Sequence, residues 1–270
     1  MNRIDLAFER LRQENSRGLI AYLTAGDPSP DRTVELLLAL ERGGADIIEL
    51  GVPFSDPTAD GPVIQRASDR ALKAGTTFVK VLEMIRELRK DSEIPIVVFS
   101  YLNPILRYGF ERFATDAAAA GADGALLTDL NVEAAEPYLS EMKAHDLKPV
   151  FLVSQTTSPE RLIQVAQASG GFLYLVSTAG VTGVRDTIAS GALPLVERAR
   201  AATDLPLALG FGLSKKEHME AIAPYADAAI VGSAIMRVVE EAQGAADLPQ
   251  RLEALAAELK SGLRATTAKS

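Results

Sequence analysis

The chain of 270 residues contains no cysteine and no tryptophan, and histidine occurs only twice. The absence of cysteine excludes disulfides, thiolate zinc sites, iron–sulfur clusters and cysteine nucleophiles, and it is compatible with a reducing cytoplasm. Both histidines, His145 and His218, lie in predicted helices with no second metal-type ligand at short helical spacing. We therefore expect surface imidazoles and no metal site.

Long apolar runs and an excess of basic residues are also missing. No apolar run approaches the roughly 20 residues that cross a bilayer, and residues 1–6 are charged and amphipathic rather than an apolar signal core. Aspartate and glutamate outnumber lysine and arginine by 36 to 28, so the net charge of −8 gives no electrostatic footprint for nucleic acid. We expect a cytoplasmic protein that binds neither membrane nor nucleic acid.

Eight short apolar runs recur along the chain, and each is followed by turn residues and a longer amphipathic stretch. Continuous apolar character is typical of parallel strands buried on both faces. Eight strands separated by helices close into a (β/α)8 TIM barrel of about 250 residues, whereas open sheets usually keep to about five or six strands. We predict a single α/β TIM-barrel domain over residues 1–270, with two domains of about 130 residues as the alternative. The predicted strands are residues 19–24, 46–50, 95–100, 125–128, 149–153, 172–176, 207–210 and 228–231.

Two helices and one repeated dipeptide stand out from this regular series. An extra N-terminal helix over residues 3–14 precedes the first strand, and we expect it to close the barrel floor. A short helix over residues 234–240 follows the eighth strand. The dipeptide Ala-Asp introduces three of the apolar runs, with Asp46, Asp123 and Asp227, and this repetition predicts one helix-to-strand turn used three times.

Glu49 interrupts the apolar second strand. Period-two alternation places Glu49 on the opposite face from Ile48 and Leu50, so it points into the barrel when those two side chains face the helices. A carboxylate there is costly to desolvate unless it is partnered, protonated or open to a ligand cavity. Because barrel active sites lie at the carboxyl ends of the strands, this position predicts a general acid or base, with a satisfied structural glutamate as the alternative.

Four aspartates near strand ends each allow two interpretations. Asp60 ends a proline-rich loop after the second strand, where it is either a functional carboxylate or a helix cap before Gly-Pro. Asp27, Asp56 and Asp129 also follow strands and are equally compatible with turn chemistry. The residues alone leave both interpretations open.

Glycine clusters follow the sixth, seventh and eighth predicted strands. Glycine lets backbone N–H groups approach an anion, and the short helix after the eighth strand directs its positive end at such a group. The clusters predict a phosphate site, with tight structural turns as the alternative. The longest segment without a predicted strand or helix, residues 177–191, is expected to be a mobile lid. The clusters contain Gly180, Gly183, Gly210, Gly212, Gly232 and Ser233.

The positions of the tyrosines and lysines indicate which kind of ligand and which kind of bond cleavage the site allows. Tyr22, Tyr101 and Tyr174 occur at or near strand carboxyl ends, which suits a flat apolar ligand, with ordinary barrel filling as the alternative. The lysines fall in helices, at the barrel floor or near the chain end, so none is predicted inside the barrel. Schiff-base cleavage of a carbon–carbon bond is thereby excluded, and any such cleavage would depend on carboxylates.

Several motifs together resemble the alpha subunit of tryptophan synthase. The resemblance spans the chain, in the family's order and spacing, and it implies a TIM-barrel lyase that splits indole-3-glycerol phosphate into indole and glyceraldehyde 3-phosphate in tryptophan biosynthesis. The motifs are Tyr-Leu-Thr-Ala-Gly-Asp-Pro at 22–28, Ile-Glu-Leu-Gly-Val-Pro-Phe-Ser-Asp-Pro-Thr-Ala-Asp-Gly-Pro at 48–62, Tyr-Leu-Asn-Pro at 101–104, Val-Ser-Thr-Ala-Gly-Val-Thr-Gly at 176–183, Gly-Phe-Gly at 210–212 and Val-Gly-Ser-Ala at 231–234.

The same resemblance implies a role for each matched residue. Glu49 matches the acid–base carboxylate, and Asp60 matches the carboxylate that holds the indole N–H. Substrate-binding positions are implied at Tyr22, Ile64, Tyr101, Asp129, Tyr174 and Thr182. Phosphate-binding positions are implied at Gly183, Gly212, Gly232 and Ser233.

The resemblance also implies a partner and leaves an alternative. The family works as an alpha2beta2 heterotetramer with a beta subunit that carries pyridoxal phosphate, and no cofactor is expected in this chain. Asn131 stands where the family pattern has proline, and Thr178 stands where some members carry a charged residue; both departures concern inter-subunit signalling more than catalysis. The alternatives are a non-catalytic regulatory subunit that binds a phosphate ligand, and another phosphate-sugar barrel such as an isomerase.

Overall fold

The computed structural model describes residues 1–176, 185–210 and 212–264, and these residues form a barrel of parallel strands surrounded by helices. All pairings between neighbouring strands are parallel, in the order β5-β4-β3-β2-β1-β9-β8-β7-β6. The predicted TIM barrel is therefore confirmed. The strands are β1 Gly18–Thr24, β2 Ile47–Gly51, β3 Ile96–Ser100, β4 Gly124–Leu127, β5 Lys148–Val150, β6 Leu152–Ser154, β7 Leu173–Val176, β8 Leu207–Gly210 and β9 Ala228–Val231.

Helices connect the strands and cover the outside of the barrel. Two short 3-10 helices, Pro30–Arg32 and Val132–Ala134, lie in the loops after β1 and β4. The α-helices are α1 Arg3–Gln13, α2 Thr33–Arg42, α3 Pro62–Lys73, α4 Phe78–Leu88, α5 Leu102–Tyr108, α6 Phe110–Ala120, α7 Glu136–Ala144, α8 Pro159–Ala168, α9 Arg185–Ala202, α10 Lys216–Ile222, α11 Ser233–Glu241 and α12 Leu248–Ser261. No helix in the described ranges is long and apolar enough to cross a membrane.

The fifth predicted strand is divided into β5 and β6, which makes nine strands out of the predicted eight. β5 pairs only with β4, and β6 pairs only with β7. Phe151 separates the two pieces, although its carbonyl still accepts the N–H of Tyr174. The two ends of the strand order are therefore consecutive parts of one extended segment, and this segment brings the barrel close to closure.

Side chains alternate between two apolar clusters, as period two requires. The larger cluster lies between strands and helices and contains Ile48 and Leu50. The smaller one lies inside the barrel and contains Ile47 of β2 together with Ile4 and Phe8 of α1. The helix α1 therefore closes the barrel floor as predicted, and Glu49 shares the inner face with Ile47.

The repeated Ala-Asp dipeptide has a structural role at the barrel floor. Each aspartate accepts the backbone N–H of one residue in a neighbouring strand at 2.8 Å and donates its own N–H to the carbonyl of that residue. Each carboxylate also pairs with a basic side chain. The pairs are Asp46 with Leu19, Asp123 with Ile96, and Asp227 with Leu207.

The prediction of a long loop over residues 177–191 is wrong in part, because α9 begins at Arg185. Gly191 was one reason to expect a loop, but it lies within this helix, as does Pro194. The remainder of that loop, residues 177–184, lies outside the described residues.

Candidate active site

Glu49 lies at the carboxyl half of β2, and its side chain is buried inside the barrel with 1% exposure. In the described part of the chain, its Oε1 atom is one of two buried side-chain polar atoms without a hydrogen-bond partner. Burial alone raises the pKa of Glu49 from 4.5 to about 8. The carboxyl group is therefore protonated at neutral pH and can donate a proton.

Asp60 stands at the end of the loop between β2 and α3, two residues before α3 begins. Tyr101 holds this loop, because its hydroxyl oxygen accepts the N–H of Ala59 at 3.0 Å and the hydroxyl also bonds to the Asp60 carboxylate. Burial raises the pKa of Asp60 to about 6, although the bond to Tyr101 acts in the opposite direction. Asp60 is therefore ionised at neutral pH while Glu49 is protonated.

The three predicted tyrosines surround these carboxylates. Burial and the charges of Asp60 and Glu49 raise the pKa of Tyr22 above its ordinary value. Burial and the charges of Glu49 and Asp60 raise the pKa of Tyr174 as well. Tyr22 lies directly opposite Glu49 in the pairing of β1 with β2. The structure thus brings Glu49, Asp60, Tyr22, Tyr101 and Tyr174 together at one end of the barrel.

Gly51 makes room for one of these tyrosines. A Cβ atom at Gly51 would lie 2.3 Å from the hydroxyl oxygen of Tyr22, which is far inside contact distance. The Tyr22 hydroxyl instead shares a hydrogen bond of 3.2 Å with Oγ1 of Thr24. The glycine two residue pairs beyond Glu49 therefore leaves the space that the Tyr22 ring occupies.

Three further side chains line this end of the barrel and were not predicted from the sequence. Thr24 bonds to Tyr22, and the ring of Phe99 meets the ring of Tyr22 edge-on at 5.1 Å. The ring of Phe54 lies 5.1 Å from that of Tyr101. Thr24 could have been found by continuing the alternation of β1 beyond Tyr22, because the two residues share a face. Phe54 lies in a loop, where no periodicity identifies its direction.

The predicted phosphate-binding residues lie at the carboxyl ends of the last strands. Gly212 is exposed and has a φ of +74°, and Gly232 precedes the exposed first residue of α11, Ser233. Gly232 has no side chain to cap α11, so the N–H groups at this helix end remain available to an anion. A Cβ atom at Gly232 would lie 3.6 Å from Ile64, which connects this end to α3. Gly183, together with the substrate-binding position Thr182, lies outside the described residues.

The remaining predicted positions lie at the edge of this site. Oδ1 of Asp129 accepts the N–H of Leu102 at 2.6 Å, so Asp129 holds the start of α5 next to Tyr101. Asn131 lies on the protein surface, where its Oδ1 is 3.5 Å from the guanidinium of Arg161. Asp56 is an exposed loop residue, and Thr178 lies outside the described residues. Within the described ranges, no three histidine or acidic side chains form a group that could hold a metal ion.

Comparisons with known proteins agree on one family. The family profile described as tryptophan synthase alpha chain matches residues 8–264. The curated tryptophan synthase alpha chain of Solibacter usitatus is 55% identical over 265 residues, covering 98% of this chain and 99% of that protein. The solved alpha chain of Legionella pneumophila subsp. pneumophila is similar with a TM-score of 0.91, at 38% identity and 99% coverage of both chains. Tryptophan synthase from M. tuberculosis in its aminoacrylate-bound form is similar with a TM-score of 0.88, at 37% identity, covering 98% of this chain and 100% of that one.

Proposed function

The chain belongs to the tryptophan synthase alpha chain family, and we propose that it is a carbon–carbon lyase that cleaves indole-3-glycerol phosphate into indole and glyceraldehyde 3-phosphate. Membership makes it a chain of an enzyme of tryptophan biosynthesis. One observation carries the proposed reaction: the protonated carboxyl of Glu49, whose Oε1 has no hydrogen-bond partner, lies beside the same two tyrosines, Tyr22 and Tyr174, as the ionised carboxylate of Asp60.

Glu49 supplies the proton that starts the cleavage. Its carboxyl group transfers a proton to the ring carbon of indole that bears the glycerol chain, so the ring becomes an electron-accepting cation. A proton held near neutral pKa is well matched to this task, since general acid–base groups work best when their pKa lies near the operating pH. The described residues show no lysine in this cluster, and Lys148 and Lys260 pair with acidic partners at the barrel floor.

Asp60 stabilises the positive ring. Its carboxylate accepts the indole N–H, whose nitrogen carries positive charge once the ring carbon that bears the glycerol chain is protonated, because the carbon between them forms a double bond to the nitrogen. Tyr101 fixes the direction of this carboxylate through the Ala59 amide and its own hydroxyl. Such a preorganised charge contributes most where burial lowers the local dielectric, and burial is what raises the pKa of Asp60.

Glu49 then completes the reaction as a base. Having given up its proton, it is a carboxylate, and it accepts the proton of the glycerol hydroxyl next to the ring. The oxygen–hydrogen electron pair forms the aldehyde carbonyl, the carbon–carbon bond breaks, and its electrons neutralise the ring. Indole and glyceraldehyde 3-phosphate leave, and Glu49 is again protonated for the next cycle.

The phosphate end of the substrate is held at the opposite side of the opening. The N-terminus of α11, at Gly232 and Ser233, faces this region with the positive end of its helix dipole, and Gly212 adds a backbone N–H in a left-handed conformation that favours glycine. Ile64, Tyr22 and Tyr174 provide the apolar walls for the indole ring between the two ends.

The partner is proposed to be a tryptophan synthase beta subunit that carries pyridoxal phosphate and receives indole, in an alpha2beta2 assembly. The exposed Asp56 loop is the proposed contact, because it extends from the same segment as Asp60. Co-elution of the chain with a beta subunit, and the mass of the complex, test the partner and the stoichiometry. Failure to co-elute with a family beta subunit would contradict this part of the proposal.

Indole release from indole-3-glycerol phosphate by the purified chain tests the reaction. We expect Glu49→Gln to abolish release, and Asp60→Asn to lower it by about 10²-fold, the loss of about 3 kcal/mol typical of one electrostatic donor. Glu9→Gln, an exposed glutamate on α1 at the barrel floor, is the matched control and should retain full activity. Binding of substrate without any indole would instead indicate the non-catalytic, phosphate-binding alternative.

A further inference from the structure

Four charged side chains form a continuous set of ion pairs outside the catalytic cluster, and we name them the Arg70 network: Asp27, Arg66, Arg70 and Glu240. Arg70 holds both carboxylate oxygens of Asp27 at 2.8 Å and one oxygen of Glu240 at 2.9 Å. Arg66 holds both oxygens of Glu240 at 2.7 Å. Asp27 is fully buried, so Arg70 is the counter-charge that its carboxylate requires.

The network joins three segments that each lead into the candidate site. Asp27 follows β1, whose end carries Tyr22 and Thr24. Arg66 and Arg70 lie one turn apart on α3, which starts two residues after Asp60. Glu240 lies in the last turn of α11, whose first turn is the predicted phosphate end. One bidentate pair, Arg66 with Glu240, and one single hydrogen bond from Arg70 to Glu240 therefore tie α3 at the carboxylate end to α11 at the phosphate end.

Close packing between the same segments accompanies these ion pairs. Gly26, next to Asp27, has no side chain, and a Cβ atom there would lie 1.9 Å from Oγ1 of Thr76 just beyond α3. At the other end of α3, Ile64 packs near Gly232 in front of α11. The helix α3 is thus packed against neighbouring segments at both ends. The ion pairs of the Arg70 network lie between these two contacts and join α3 to α11.

We infer that the Arg70 network is a positioning device, which sets the separation between Asp60 on one side and the N-terminus of α11 on the other. This inference rests on the proposed function, because one substrate must reach both ends at once. A misplacement of about 1 Å in such a site is enough to lower a reaction rate by about 10²-fold. The four residues lie outside the catalytic cluster and the predicted phosphate-binding positions, so the proposed effect is on distance and not on chemistry.

Glu240→Ala is the variant that tests this inference. It removes both pairs between α3 and α11 but leaves the buried pair of Arg70 with Asp27 intact, so the fold is retained. Glu253→Ala is the matched control, since Glu253 of α12 pairs with Arg42 of α2, another ion pair between two helices but remote from the site. Far-ultraviolet circular dichroism checks that both variants fold.

Three ligands separate a positioning effect from general damage. Glycerol 3-phosphate reaches only the phosphate end, indole reaches only the carboxylate end, and an analogue that joins indole to phosphate through three saturated carbons must reach both. In Glu240→Ala we expect the Kd of the joined analogue, and kcat/KM for the substrate, to worsen by about tenfold. The Kd values of the two short ligands should stay within about twofold, and Glu253→Ala should leave all of them unchanged.

Two outcomes overturn the inference. If the joined analogue binds Glu240→Ala as it binds the wild-type chain, the network does not set the separation. If all three ligands weaken equally, the substitution damages the site itself. Absence of indole release from the wild-type chain would overturn the proposed function instead, and the binding comparison of the joined and short ligands would still decide the question of positioning.

Discussion

The stability of the Glu49→Gln variant relative to the wild-type chain should increase as the pH rises from acid to neutral. Burial raises the pKa of Glu49 to about 8 in the folded chain, whereas the unfolded chain has the ordinary value of 4.5. Between these values the unfolded state releases the proton and the folded state keeps it, so the free energy of unfolding of the wild-type chain decreases as pH increases.

The size of this effect follows from the two pKa values. Neutral pH lies about 2.5 units above the value in the unfolded chain, and each unit corresponds to about 1.4 kcal/mol, so the wild-type chain loses about 3 kcal/mol by pH 7. Glutamine has the same shape and does not ionise. Any change that its amide makes to packing is independent of pH, so the difference between variant and wild type isolates the titration of Glu49.

Urea unfolding followed by far-ultraviolet circular dichroism measures this difference at about pH 5 and about pH 8. Circular dichroism is the suitable signal because the chain has no tryptophan to report by fluorescence. The stability of Glu49→Gln relative to wild type should increase by a few kcal/mol between the two pH values. Glu9→Gln, at an exposed position, is the control and should show no such increase. An equal increase in both variants, or none in Glu49→Gln, would refute the reasoning from burial.

Three further predictions concern the pH dependence of activity, the loop that carries Asp60, and the barrel floor at Asp123. The profile of kcat/KM against pH should rise through about 6, as Asp60 ionises, and fall above about 8, as Glu49 loses the proton it must donate; a flat profile across this range would contradict the assigned roles. Tyr101→Phe should lower kcat/KM by about tenfold, as expected for one hydrogen bond to a charged group, and move the acidic limb to higher pH, because the Tyr101 hydroxyl lowers the pKa of Asp60; an unmoved limb in pH-rate measurements would count against it. Asp123→Ala should destabilise the fold by about 3 kcal/mol in urea unfolding, because two arginines lose their buried partner, while kcat of the folded enzyme is retained; a large loss of kcat in a stable variant would contradict its purely structural role.

The architecture was predictable because strand and helix repeat with regular local signals. Runs of apolar residues between turn residues located the strands to within one or two positions, and alternation placed Glu49 inside the barrel. The division of the fifth strand at Phe151 has no such signal, since it depends on the pairing of β5 with β4 and of β6 with β7. Pairing registers of this kind involve residues far apart in sequence, and no periodicity encodes them.

The candidate site was predictable as a set of residues but not as a set of contacts. The sequence of the loop left Asp60 open between helix cap and functional carboxylate, and only the position of Tyr101, 42 residues away from Ala59, shows what holds that loop. The pairing of Arg70 with Asp27 and Glu240 is of the same long-range kind. Sequence gives the spacing of Arg66 and Arg70 on one helix face, but it does not give the acidic partner.

The two ends of the barrel use carboxylates in opposite ways, and the contrast is itself an argument for function. At the floor, Asp123 accepts a backbone N–H and pairs with two arginines, so burial of the charge is compensated. At the opposite end, Glu49 is just as buried, yet its Oε1 has no hydrogen-bond partner among the described residues. The fold therefore satisfies a buried carboxylate next to β4, two strands away from β2, and does not do the same for Glu49. The unsatisfied Glu49 carboxyl lowers the stability of the fold near neutral pH. Proton transfer to a bound substrate requires such a group, because it can give up its proton beside the ionised Asp60.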